Sequence, residues 1–349
     1  MKRCIAVCLC LLVLSVALVP FAFAQTEYPV KREALYVRDP WVLPYEGKYY
    51  MYGTGLSRGL GYGCSVSEDL ENWSNPIQIF SPDADFDGCN NYWAPECHIY
   101  EGNFYLFATY LSETTQKRGV GIFKSDSPTG PFTLITDGHI TPKDIDCIDG
   151  TLYVDEDGQP WMIYVNEWTS QPDGIGEMAA AMLSDDLTQF ISTPVVLFHA
   201  DDPMWADGQV TDGPFVHKTA DGTLVMLWSN NDDDGYAVGM AISATGKING
   251  SWVHYPKTLY SEKQFGLDGG HPMLFESFDG TMYLSIHSPN ENMQDGVQTA
   301  AKFLPVEESD MGISVVGAKN NVIENMFINL YLQITLFFTR LFDRLGGMC

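Results

Sequence analysis

The stretch Asp39-Pro40-Trp41-Val42, the turn Glu46-Gly47 and the run Tyr49-Tyr50-Met51-Tyr52 together form a polar opening, a short apolar segment, a glycine turn and an aromatic segment. The same phrase returns four more times. Its further openings are Ala94-Pro95-Glu96-Cys97, Asp149-Gly150-Thr151-Leu152, Asp212-Gly213-Pro214-Phe215 and Gly270-His271-Pro272-Met273. Their turns are Glu101-Gly102, Asp157-Gly158, Asp221-Gly222 and Asp279-Gly280. Two short apolar runs joined by an acidic residue and a glycine read as a β-hairpin. Hairpins repeating every 55–60 residues or so predict an all-β, five-bladed β-propeller, one four-stranded blade per copy. A propeller gathers equivalent positions around one axis. Three openings carry an aspartate, so Asp39, Asp149 and Asp212 are predicted to meet in one pocket.

The repeat makes residues 28–316 one domain of the 349-residue chain, and 45% hydrophobic residues are ample for its core. Ahead of it, Lys2-Arg3, the apolar run from Ile5 to Val19 and Ala22-Phe23-Ala24 form an export-signal pattern. This predicts a signal peptide over residues 1–24, cleavage after Ala24 and a secreted mature protein. The formal net charge is −26, and loss of Lys2 and Arg3 makes it more negative by two. Such acidity argues against nucleic acid and anionic polysaccharide and for a neutral partner. Removing the signal takes Cys4, Cys8 and Cys10 and leaves Cys64, Cys89, Cys97, Cys147 and Cys349, an odd set with no zinc spacing. Cys89 and Cys97 are the pair that could bridge; isolated thiols are the alternative.

Most of the 45 acidic residues need no site. Those in Ser67-Glu68-Asp69-Leu70 and Ser184-Asp185-Asp186-Leu187, and in the Asp-Gly turns, suit tight turns in which Ser and Asp bond the local backbone. Asp39, Asp149 and Asp212 differ, since each stands at an innermost strand beside a residue that restricts the backbone. Spacing alone leaves each as compatible with a turn cap as with catalysis. Trp41, Trp93, Trp168 and Trp205 flank these segments, and aromatic rings beside carboxyls suit sugar faces. Trp73, Trp161 and Trp252 read as framework. Arg38 is placed to keep a neighbouring carboxylate ionised.

Arg38-Asp39-Pro40, Trp93-Ala94-Pro95-Glu96, Ile148-Asp149-Gly150, Thr211-Asp212-Gly213-Pro214 and Gly270-His271-Pro272-Met273 together resemble glycoside hydrolase family 43, over roughly residues 33–310. The resemblance implies a five-bladed propeller that hydrolyses arabinan, xylan or their oligosaccharides with inversion. Asp39 would be the general base, Asp149 the carboxylate that orients and tunes the acid, and Asp212 the general acid. Inversion uses carboxyls about 6.5–9.5 Å apart, with water on the face opposite the leaving group. The family's acid is usually a glutamate, and Asp212 departs from that pattern. Glu167, in Asn166-Glu167-Trp168, is the substitute candidate, followed by Glu96. Arg38, Trp41, Trp93, Glu96, Trp168 and His271 are expected to contact substrate. The resemblance also implies that His271 faces a calcium ion, or its waters, on the axis.

Residues 168–176 and 199–209 are long enough to wall one end of a groove, which favours exo over endo action. Two rival readings remain: a retaining, invertase-like propeller, and a carbohydrate-binding propeller without turnover. After Val316, apolar residues recur at helical spacing, predicting an amphipathic helix over 321–345. Asn325, Asn329, Gln333 and Arg340 interrupt it, so it is not expected to span a membrane. It is read as packing on the propeller or a second subunit, with interfacial membrane contact as the alternative.

Overall fold

The structure is a computed structural model that describes residues 29–309, 312–318 and 322–346. The expected signal peptide and Cys349 lie outside the described residues. The strands form five sheets, each an antiparallel meander running outward from its innermost strand. Those innermost strands are Arg38–Tyr45, Gly88–Tyr100, Cys147–Val154, Asp212–Lys218 and Gly270–Glu276. All five coincide with the repeated openings. Four blades have four strands; the first is a six-stranded sheet to which Val30–Lys31 adds along Asn72–Trp73.

Local chemistry explains the hairpins. Glu46 and Gly47 have φ of 48° and 77°, and Glu101 and Gly102 have 47° and 76°. Two consecutive positive φ values match the right-handed twist of the flanking strands, and glycine carries the second without strain. In the later blades the turn aspartates serve the backbone: Asp221 accepts from Thr219 Oγ1 and Thr223 N–H, and Asp279 from Ser277 Oγ and Thr281 N–H. Asp69 and Asp186 do likewise in their own turns. These acids are turn chemistry, as read from sequence.

Between blades lie apolar clusters built from the second and third strands. Met51, Tyr52, Cys64, Leu106 and Ala108 are fully buried in one, and Val225, Leu227, Val238, Leu284 and Ile286 in another. Each large apolar side chain so buried contributes about 1.5–3 kcal/mol. The ring closes without strand exchange. Ser285 Oγ donates to the Pro40 carbonyl at 2.8 Å, Asp39 N–H to His287 Nδ1, and Arg38 to the Asn290 carbonyl and side chain. Cys64, Cys89, Cys97 and Cys147 are all free, so the Cys89–Cys97 bridge does not form.

The tail is the helix Val322–Gly346. It lies on blades four and five through Ile328 and Leu332, which join the Val225, Met240, Val306 and Ile313 cluster. Arg340 Nε donates to the Ala244 carbonyl and Ser251 Oγ to Asp343. None of the described helices is long and apolar enough to cross a membrane.

Candidate active site

All five innermost strands break register against the second strand at the same place. The break falls at Asp39-Pro40, Ala94-Pro95, Asp149-Gly150, Gly213-Pro214 and His271-Pro272. The first residue of each break has positive φ: 55° at Asp39, 41° at Ala94, 53° at Asp149, 51° at Gly213 and 58° at His271. Four non-glycine residues in this region is a repeated strain, of the kind concentrated at functional sites. Three of the breaks bring Asp39, Asp149 and His271 into the pocket lining.

This register corrects one sequence expectation. The position equivalent to Asp39 and Asp149 in blade four is Gly213, and Asp212 stands one residue earlier. In pairing with the second strand, Asp212 opposite Ser229 matches Arg38 opposite Thr54 and Ile148 opposite Val165. Glycine at 213 is required twice over. It carries the positive φ, and a Cβ there would lie 2.7 Å from the His271 ring.

The strained residues are pinned by their neighbours. Ala94 N–H donates to Thr54 Oγ1, Asp149 N–H to Thr109 Oγ1, His271 N–H to Ser229 Oγ and Asp39 N–H to His287 Nδ1. In each case the acceptor is the second-strand residue of the preceding blade. Blade three interrupts this ring, because its equivalent residue is Val165. Gly213 N–H turns instead to Asp149 Oδ2 at 3.1 Å. The missing hydroxyl thereby ties the Asp149 carboxylate to the backbone next to Asp212.

Around the axis opens a pocket of about 520 Å³ whose lining includes Arg38, Asp39, Trp93, Asp149, Glu167, Trp168, Asp212 and His271. The lining also includes Tyr36, Thr54, Asn231, Tyr236 and Asn290, which the sequence reading did not name. Tyr236 and Thr54 matter most. Their only sequence signal is a polar group at the end of a blade strand, which has no motif of its own.

The carboxyls sit in unlike environments. Burial alone would raise Asp39, but His271, His287 and Arg38, with the Thr54 hydroxyl at 2.6 Å, hold it below the usual carboxylate range. His271 Nδ1 lies 3.3 Å from Asp39 Oδ1 and 3.8 Å from Asp149 Oδ2. His287 is pushed down to about 4 by burial. It is therefore neutral, accepting from Asp39 N–H on Nδ1 and facing Asn290 Oδ1 with Nε2. Burial raises Asp149 to about 6, with His271 opposing and Asp39 reinforcing the shift. Burial and then the Asp149 charge raise Asp212 far above its ordinary value. Tyr236 O–H donates to Asp212 Oδ2 at 3.0 Å, while Oδ1 is buried without a partner. An oxygen so placed is less costly to bury in a neutral carboxyl than in a carboxylate.

Glu167 is bound on both oxygens by Arg118, Nε–Oε2 at 2.7 Å and Nη2–Oε1 at 3.0 Å. Arg118 in turn lies over the Trp93 ring at 5.6 Å. Burial raises the Glu167 carboxyl, Arg118 opposes it, and a two-point guanidinium contact favours the ionised form. That geometry suits a residue that orients the Trp93 wall better than a proton donor.

Two expected substrate contacts lie elsewhere. Trp41 is core: its Nε1–H donates to the Cys97 carbonyl at 2.8 Å and its ring packs on His98 and Phe215. Glu96 is buried away from the pocket lining, with Oε2 3.2 Å from His98 Nε2. Burial holds Glu96 far above the normal carboxyl range and His98 down at about 3. The pair is a neutral acid beside a neutral imidazole. Trp205 also leaves the pocket, packing on Trp228 at 5.4 Å. The period-two pattern of the strands cannot separate pocket from core here, because the register breaks turn residues off the regular alternation.

The calcium expected beside His271 would take most of its ligands from water. Among the described residues no three His, Cys, Asp or Glu side chains converge as a metal-ligand set, whereas calcium takes about 6–8 oxygens. His271 Nδ1 faces carboxylates that it helps to ionise.

Carboxyls pushed in opposite directions by their surroundings, beside Trp93 and Trp168 on the axis of a five-bladed propeller, suit the two-carboxyl chemistry of a glycoside hydrolase. The family model of Glycosyl hydrolases family 43 matches residues 29–307, and the chain belongs to that family. The chain is similar to an endo-arabinase from Bacteroides thetaiotaomicron, at 36% identity and a TM-score of 0.74 over 81% of this chain and 98% of that one. It is also similar to an endo-1,4-beta-xylanase from the same organism, at 29% identity and a TM-score of 0.70 over 84% and 97% of the two chains. An extracellular endo-alpha-(1->5)-L-arabinanase of Bacillus subtilis is 25% identical over 144 residues, 38% of this chain and 44% of that protein. The match thus spans less than half of that curated relative.

Proposed function

We propose that the protein is a secreted, inverting glycosidase of arabinofuranosyl or xylosyl linkages in plant cell-wall polysaccharide or its oligosaccharides. The observation that carries this reading is the split among the axial carboxyls: Asp39 is held ionised, while Asp212 is held protonated with one oxygen unpartnered. Asp39 removes a proton from water as that water attacks the anomeric carbon. Asp212 gives its proton to the departing glycosidic oxygen, and the sugar leaves with inverted configuration. Asp149 keeps its charge beside Asp212 and so favours the protonated acid. Tyr236 fixes the acid's other oxygen, which lets an aspartate do what a longer glutamate does elsewhere in the family. Trp93 and Trp168 supply faces for the sugar rings.

Arabinan is placed ahead of xylan, and internal ahead of terminal cleavage, because two relatives named above are an endo-arabinase and an endo-arabinanase. This reverses the preference drawn from the long segments alone. Those segments bond to each other, Gly176 N–H to the Gln209 carbonyl at 2.8 Å and Ala200 N–H to the Gly176 carbonyl at 2.9 Å. They wall one flank.

The test is a screen on linear arabinan, xylan, nitrophenyl arabinofuranoside and nitrophenyl xyloside, with the anomeric product followed by NMR. Mixed short oligosaccharides from arabinan with inversion are expected. Retention would contradict the mechanism. Binding of arabinan with no hydrolysis, unchanged in Asp39→Asn, would make the protein a binding module. Secretion is tested by the N-terminus of exported protein, expected at Gln25.

A further inference from the structure

The helix Val322–Gly346 buries one face on the propeller and leaves the other bare. Met326, Phe327, Leu330, Tyr331, Ile334, Phe337, Phe338, Leu341, Phe342 and Leu345 are between 40% and 68% exposed. At 3.6 residues per turn these ten fall within one arc of about 160°. With large side chains of about 150–250 Å² each, the exposed part of this face amounts to roughly 1,000 Å². That is well above the ~300–600 Å² of the largest apolar patch on an ordinary monomer. It also exceeds the ~800 Å² that each partner contributes to a standard stable interface.

We infer that this face is covered by the same helix of a second copy, paired antiparallel about a two-fold axis. Three observations choose this occupant. First, Phe327, Leu330, Ile334, Phe337 and Leu341 follow alternating steps of three and four residues, a seam that interlocks with a helix of like spacing. An identical helix provides that spacing, and a two-fold interface is self-complementary. Second, no residue from Asn325 to Thr339 is charged, so two copies of a chain of net charge −26 can meet here without opposing like charges. Third, the features of a lipid-lying helix are missing. Such a helix turns a lysine- and arginine-rich face to water. Here the opposite face is occupied by the propeller through Ile328 and Leu332, and Arg340 is bonded to the Ala244 carbonyl. The inference is independent of the catalytic reading.

Sedimentation equilibrium of the full chain across a hundredfold range of concentration tests it. The expected mass at the upper end is that of two chains. Phe327→Glu with Phe337→Glu should weaken the dimer at least tenfold while circular dichroism and melting remain those of a folded propeller. Leu330→Gln with Ile334→Gln is the milder second pair, should the first disturb folding. A single-chain mass at every concentration overturns the inference. So does a dimer that both pairs leave intact. A single-chain mass together with flotation on phosphatidylcholine vesicles also overturns it, and assigns the face to lipid.

Discussion

At the residue scale, local environments push chemically similar carboxyls apart. Asp39 must be ionised, and its value is lowered, so the acid limb of the pH–rate profile should fall below the usual carboxylate range. Asp149 and Asp212 interact, and protons leave such a pair in steps that belong to both. The basic limb, where the pair loses its last proton, should lie above the value of about 6 that burial gives Asp149. A bell-shaped kcat/KM profile with limbs on those sides checks both signs. The same shifts bear on stability. A carboxyl whose folded value is raised favours the fold while protonated and opposes it as pH rises past its unfolded value. Asp212→Asn is therefore expected to melt higher than the native protein at pH 8 while losing hydrolysis. A lower melting temperature there would contradict the assignment. Val165 is the second residue-scale test. Val165→Thr would insert a hydroxyl between Gly213 N and Asp149 Oδ2, now 3.1 Å apart. That separates the Asp149 charge from Asp212, so the basic limb should move to lower pH with KM unchanged. Val165→Ala costs about 2 kcal/mol of stability by cavity formation but should leave the limb in place.

At the element scale, the register break in each innermost strand is the device that makes a propeller an active site. The sequence displayed the breaks as Asp-Pro, Ala-Pro, Asp-Gly, Gly-Pro and His-Pro pairs, legible because Gly and Pro mark departures from the ladder. It did not display which residue of each pair turns inward. That is why Asp212 aligns with Asp39 and Asp149 by sequence although Gly213 holds their place. For the same reason the sequence suggests a sugar contact at Trp41, which follows a break and so returns to the core side, against His98 and Phe215. Tyr236 is illegible in the sequence, since its role depends on blade four's third strand starting beside Asp212. Gly213→Ala tests the device. A Cβ would meet the His271 ring and take a positive φ, costing about 1–2 kcal/mol or more and displacing His271 from Asp39. A lowered melting temperature and lowered kcat are expected together; an unchanged kcat would separate the break from catalysis.

At the scale of the whole molecule, closure, charge and site are one arrangement. Blade five meets blade one through Ser285, His287, Asn290, Arg38 and Asp39, so the bonds that seal the ring also set the Asp39 charge. Ser285→Ala, which removes only the bond to the Pro40 carbonyl, should destabilise by about 1 kcal/mol with little change in the pH profile. The acidic surface predicts that added salt raises the melting temperature, since screening relieves self-repulsion in a chain of net charge −26. The central claim is that Asp212 donates the proton and Asp39 activates water. It is tested most directly by comparing arabinan with a dinitrophenyl arabinofuranoside, whose leaving group needs no proton. Asp212→Asn should lose about 10²–10⁴-fold on arabinan yet recover most of its rate on the activated glycoside, whereas Asp39→Asn should be inactive on both. Equal loss by Asp212→Asn on the two substrates, or leaving-group recovery in Glu167→Gln instead, would contradict the account.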